Sequence, residues 1–119
     1  MNKEDAELIL FFDWVRWQEI RDPIYKSIYH VANERKTGWI QGKYLKKKGV
    51  RAGVFDVIIP IGRPPFIGAV IELKIKPNKL TEAQNEFAAL MHGLGHFVRI
   101  AWSGEELIEI VKDYLGEKT

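Results

Sequence analysis

Residues 49–84 read GVRAGVFDVIIPIGRPPFIGAVIELKIKPNKLTEAQ, and the fold turns on this stretch. Two apolar runs, Val57-Ile58-Ile59 and Ala69-Val70-Ile71, flank a segment rich in glycine and proline, which is the pattern of two strands joined by a turn. Both runs carry charges that an apolar strand ordinarily lacks. Asp56 heads the first, while Glu72 and Lys74 alternate with Leu73 and Ile75 in the second. Strand side chains alternate between faces, so Glu72 and Lys74 point one way and Leu73 and Ile75 the other. A hairpin about Gly62–Gly68 brings Asp56 near Glu72, since both stand at similar distances from the middle of the loop. The expected product is two carboxylates and one ammonium on one patch of a mostly apolar sheet.

Such a patch has a chemical use. Two carboxylates a few ångströms apart repel, and one loses its charge unless a cation sits between them. Mg²⁺ takes hard oxygen ligands and can polarise a phosphoryl oxygen or activate a bound water. Lys74 would then face the attacking water or the charge developing on phosphorus. The competing reading makes Asp56 a turn cap and Glu72–Lys74 an ordinary exposed pair. An aspartate heading an apolar strand, with Gln84 twelve residues after Glu72, favours the chemical reading.

An Asp followed on the next strand by Glu-x-Lys is the signature of the PD-(D/E)xK nuclease superfamily. The surrounding segments narrow the likeness: HVANE at 30–34, GVRAGVFDVIIP at 49–60, IELK at 71–74 and KLTEAQNEF at 79–87. The chain resembles the VRR-NUC (virus-type replication-repair nuclease) family in its stand-alone form, over nearly its whole length. It departs from the family pattern at Phe55, where a proline usually precedes the Asp, and in the first helix, where Glu4 is followed four residues later by Leu8 instead of Gln.

The resemblance implies a restriction-endonuclease-like core and metal-dependent hydrolysis of DNA phosphodiesters with Mg²⁺ or Mn²⁺ as cofactor. Asp56 and Glu72 would be metal ligands, joined by the backbone carbonyl of Leu73 and by Glu4, with Glu7 as the rival to Glu4. Lys74 would assist the nucleophile, and Gln84 would stand near the active site. Stand-alone members are associated with branched DNA, including four-way (Holliday) junctions, and with phage or prophage genomes.

With 119 residues the chain fits one domain, 1–119, with one core. Its apolar content of 46% and charged content of 29% are those of a soluble globular protein. No window approaches a membrane span, and Met1-Asn2-Lys3-Glu4-Asp5 does not open like a signal peptide. The absence of cysteine excludes disulfides and Cys-based zinc sites and fits a cytoplasmic setting. A net charge of only +2 means that binding to a polyanion must come from local patches.

Along the chain, residues 4–21 read as a helix ending before Pro23, with Glu4, Leu8, Phe11 and Val15 on one face and Leu10, Trp14 and Trp17 extending the apolar stripe. Glu4 in its first turn also has a plain reason to be there, since an acid offsets the helix dipole. Ser27 to Ala32 reads as a strand whose exit, with Asn33 and Arg35, enters the nucleic-acid face in the resembling family. His30 reads as a packed or surface residue more readily than as a base. His92 and His96 make a poor zinc pair, because Gly93 and Gly95 lie between them.

Gly38 to Lys48 reads as a helix, and Lys43, Lys46, Lys47, Lys48 and Arg51 form the densest basic run. Because the run leads directly into Asp56, DNA phosphate contacts are the favoured reading over a solvated face. Thr81 with Gln84 is a capping-box pattern, so Gln84 is expected to serve either the cap or the site. Gly93 ends that helix. His96–Trp102 reads as a strand and Gly104–Leu115 as an amphipathic helix.

The expected architecture is therefore α/β, a mixed sheet flanked by helices in the order α-β-α-β-β-α-β-α. A symmetric homodimer is expected, since a four-way junction needs two cuts and one chain carries one Asp56–Glu72–Lys74 set. The aromatic first helix (Phe11, Phe12, Trp14, Trp17) is its candidate interface. Two other classes compete: a non-catalytic DNA-binding module on the same fold, and an interaction domain whose four tryptophans mark a partner surface.

Overall fold

Helix α1 (Lys3–Arg21) begins where the Asn2 side chain accepts the Asp5 N–H at 2.7 Å, and it ends at Asp22, ahead of Pro23. The computed structural model describes residues 1–32 and 39–117. The chain continues through a 3₁₀ turn (Pro23–Ser27), β1 (Tyr29–His30), α2 (Trp39–Lys47), β2 (Val57–Ile59), β3 (Ala69–Leu73), α3 (Glu82–Gly93), β4 (Phe97–Ala101) and α4 (Gly104–Leu115). This is the expected order of helices and strands with the 3₁₀ turn added.

The four strands form one mixed sheet in the order β1-β2-β3-β4. β1 and β3 both run antiparallel to β2, whereas β3 and β4 are parallel and are joined through α3. The register Val57↔Ile71 and Ile59↔Ala69 puts these four apolar side chains on one face. On that face they meet Phe11 and Val15 of α1 and Leu107, Val111, Tyr114 and Leu115 of α4, which together make the hydrophobic core. α1 and α4 are locked together at a close approach. The Glu7 side chain accepts the Gly104 N–H at 2.8 Å, and a Cβ on Gly104 would stand 2.5 Å from the Glu7 carbonyl oxygen.

Two expectations are corrected here. The strand expected over Ser27–Ala32 is only two residues long. Asp22 accepts the Ile24 N–H and the Ser27 hydroxyl donates to the Ile24 carbonyl, so local side-chain bonds hold the first residue, Ser27, in a 3₁₀ turn. The apolar stripe of α1 also lies differently. Phe11 and Val15 are buried and Phe12 and Trp14 pack against the core, but Trp17 is 72% exposed. A helix that is apolar on several faces does not specify from sequence which face turns inward.

Candidate active site

Extending the β2–β3 register by one pair sets Asp56 opposite Glu72, on the sheet face away from the α1–α4 core. The two residues are tied together through main chain and side chain. The Asp56 N–H donates to Glu72 Oε1 at 3.1 Å, and the Leu73 N–H donates to Asp56 Oδ2 at 3.0 Å. Lys74 lies on the same side as Glu72, with Nζ 3.6 Å from Glu72 Oε2. Its backbone N–H reaches the Ala101 carbonyl at 2.9 Å, which carries the pairing with β4 one residue past the strand.

Gln84 supplies the fourth group, and it fills both of the roles between which the sequence left a choice. Its Oε1 accepts the Thr81 N–H at 3.0 Å and its own N–H donates to Thr81 Oγ1 at 3.1 Å, which completes the capping box of α3. Its Nε2 meanwhile donates to Glu72 Oε2 at 2.8 Å. The amide orientation is fixed by this arrangement, since an oxygen must face the N–H and a nitrogen must face the carboxylate. The helix cap thus holds the carboxylate.

All four side chains are buried: Asp56 is 7% exposed, Glu72 1%, Lys74 5% and Gln84 3%. Charged side chains are rarely placed so deep unless they are paired or coordinate a metal. Burial, reinforced by the charge of Asp56, pushes the Glu72 carboxyl up to about 7, against the opposing pull of the Lys74 ammonium and the Asp56 N–H. Two carboxylates share one ammonium, so the cluster is one positive charge short. That donor set, hard oxygens with a deficit of positive charge, fits a divalent cation such as Mg²⁺ or Mn²⁺.

Among the described residues no cluster of three or more His, Asp or Glu side chains is placed to hold a metal, so Asp56 and Glu72 stand as a pair. Glu4 is half-buried in the first turn of α1 and is not gathered with them into such a cluster. Phe11 and Val15 of the same helix pack on the opposite face of the sheet. Glu7, the rival, is engaged in capping α4.

Lys43, Lys46, Lys47 and Lys48 are exposed on and just after α2, and Arg51 is exposed on the loop beyond. Lys46 and Arg51 help to line a shallow cavity of about 360 Å³ with Gly49, Val50 and Ala52. The loop is drawn towards the site by Gly53, which has φ +86° and where a Cβ would stand 2.4 Å from the Ala83 carbonyl oxygen in the first turn of α3. Phe55 packs on Phe87 of the same helix, with ring centroids 5.3 Å apart. Asn33 and Arg35 lie outside the described residues.

One contact was not anticipated. His30 Nδ1 lies 2.9 Å from the Asp56 carbonyl oxygen, which also accepts the Val31 N–H at 2.8 Å. The only sequence signal for it is the position of His30 at the end of a strand that pairs with β2.

No protein-family profile and no curated protein matches this chain. Among solved structures, a "VRR_NUC domain protein" superimposes with a TM-score of 0.83 at 24% sequence identity, covering 98% of this chain and 90% of that one. A mixed four-stranded sheet with flanking helices and one buried carboxylate–lysine cluster is thus a VRR-NUC-type α/β fold, the fold expected from the sequence resemblance.

Proposed function

We propose that this chain is a stand-alone VRR-NUC-family nuclease that hydrolyses DNA phosphodiesters with Mg²⁺ or Mn²⁺. The observation that carries the reading is the buried Asp56–Glu72–Lys74–Gln84 network, which has more negative than positive charge and stands beside a basic surface. Asp56 and Glu72 would hold the cation, with the Leu73 carbonyl as a third protein ligand beside them. When bound, the cation would neutralise charge on the phosphoryl group and polarise a water. Gln84 keeps Glu72 from rotating away. Lys74 keeps its ammonium in a desolvated setting, where it counters charge developing on phosphorus more strongly than it would in water.

Lys43, Lys46, Lys47, Lys48 and Arg51 would bind DNA phosphates next to the cut, with Asn33 and Arg35 extending that face. Branched DNA, in particular the four-way junction, is the proposed substrate, and a homodimer would present two cutting sites to it. The proposed setting is intracellular, including phage or prophage genomes. No helix among the described residues is long and apolar enough to cross a membrane.

Labelled linear, flapped and four-way DNA, incubated with the purified protein in Mg²⁺ and in EDTA, tests the reading. Metal-dependent cleavage strongest on branched DNA is expected. Binding without cleavage in either condition would make the chain a DNA-binding module on this fold.

A further inference from the structure

Asp56 stands one residue before β2, and its N–H, one carboxylate oxygen and its carbonyl are each held. Its N–H goes to Glu72, its carboxylate Oδ2 to the Leu73 N–H, and its carbonyl to both the Val31 N–H and the His30 ring. β1 and β2 pair over only two residues, Tyr29↔Ile58 and His30↔Val57. A ladder this short leaves the Asp56 end of β2 weakly held unless further bonds extend it. The Val31 N–H and the His30 ring extend it, and both converge on the same oxygen.

The ring bond is specific in chemistry. A carbonyl oxygen only accepts, so Nδ1 must carry the hydrogen, and this fixes the tautomer. His30 is an exposed residue on the edge strand, and Val31 already satisfies the Asp56 carbonyl. The second bond is therefore not needed to cover a buried acceptor. It bears instead on the Asp56–Val57 peptide, next to the Cα from which the Asp56 carboxylate projects. Side chains that orient a metal-holding residue through one hydrogen bond typically change affinity or activity by about 10–100-fold when removed.

We propose that His30 is a positioning residue for the site, acting through its Nδ1–H on the Asp56 carbonyl to aim the Asp56 carboxylate. This rests on the reading of Asp56 as a metal-holding residue. The two ring nitrogens make the proposal separable from a direct contact with DNA. The amide nitrogen of asparagine sits one bond from Cγ, as Nδ1 does, whereas that of glutamine reaches the place of Nε2. His30→Asn preserves the bond to Asp56; His30→Gln preserves only a donor facing outward.

The test is Mn²⁺ titration calorimetry on wild type, His30→Asn, His30→Gln and His30→Ala, with kcat and KM for cleavage measured on the same four proteins. Metal-free thermal melts confirm that each is folded, and the exposed position makes all three substitutions tolerable. The expected result is near wild-type Mn²⁺ affinity and kcat in His30→Asn. His30→Gln and His30→Ala should lose about 10–100-fold in one or both, with KM for DNA little changed. Rescue by Gln in place of Asn, or four indistinguishable proteins, would overturn the positioning role and leave the metal reading standing. A wild-type protein that binds no Mn²⁺ would remove both.

Discussion

Replacing Glu72 by Gln should abolish much of the pH dependence of stability in the metal-free protein. The Glu72 carboxyl is pushed from an ordinary 4.5 up to about 7, first by burial and then by the charge of Asp56. The folded protein therefore keeps this proton to a higher pH than the unfolded chain does. The stability it contributes is fully present below about pH 4.5, and it is lost as pH rises to about 7. The full displacement corresponds to about 3 kcal/mol, a large part of the 5–15 kcal/mol typical of a domain. Glutamine cannot ionise, so Glu72→Gln should lack this loss. The substitution also turns an NH₂ towards Gln84 or Asp56, but that penalty is the same at every pH and leaves the slope untouched. Urea unfolding at pH 5 and pH 8 in EDTA measures the difference. Wild type should lose up to about 3 kcal/mol more than Glu72→Gln between the two. Saturating Mg²⁺ should restore wild type at pH 8 and not the variant, since under the proposed function the ion needs both carboxylates. Parallel pH profiles in EDTA would refute the claim that Glu72 is held as a destabilised, metal-demanding carboxylate.

Lys74→Ala should retain Mn²⁺ binding but lose on the order of 10²–10³ in kcat, because in the proposed reaction its ammonium would act mainly on charge that develops in the transition state; cleavage within about threefold of wild type would make Lys74 a structural partner of Glu72. Replacing Lys46, Lys47 and Lys48 by Ala should weaken binding to every duplex and flatten the plot of log affinity against log salt by roughly 0.9 per lost phosphate contact. An unchanged slope would mean that the run is a solvated face. The homodimer, if it forms through α1, should use Trp17 and Ile20, which are 72% and 78% exposed, and not Phe11, which is fully buried. Sedimentation equilibrium at micromolar concentration should give twice 13.8 kDa for wild type and 13.8 kDa for a Trp17→Glu/Ile20→Glu variant; a wild-type monomer would exclude the dimer.

The hairpin was legible because period-2 alternation and a Gly/Pro-rich loop leave little choice of register once one face must be buried. That register alone set Asp56 across from Glu72 and Glu72 beside Lys74. Helix ends were legible for the same local reasons, since Pro23 and the Thr81–Gln84 box act within a few residues of themselves; α3, however, runs through Gly93, and the left-handed glycine beyond it is Gly95 with φ +100°. What sequence could not supply was the outcome of contacts between distant segments. The strand expected over Ser27–Ala32 starts late for a local reason instead, since Asp22 and Ser27 bond within the 3₁₀ turn that precedes it. Trp17 faces outward because α4 and the sheet claim only one side of α1. Gln84 serves cap and carboxylate together because its two amide atoms face different elements. The His30–Asp56 bond joins residues 26 apart in the chain, and no spacing rule connects them.

The central claim is that Asp56 and Glu72 together form a divalent-metal centre. Titration calorimetry with Mn²⁺ on wild type, Asp56→Ala and Glu72→Ala, each checked for an intact fold by circular dichroism, tests it most directly. Wild type should bind Mn²⁺, and either substitution should cause a large loss of affinity together with loss of DNA cleavage, since each removes one of two charged ligands. Unchanged Mn²⁺ affinity and full cleavage in both variants would contradict the assignment.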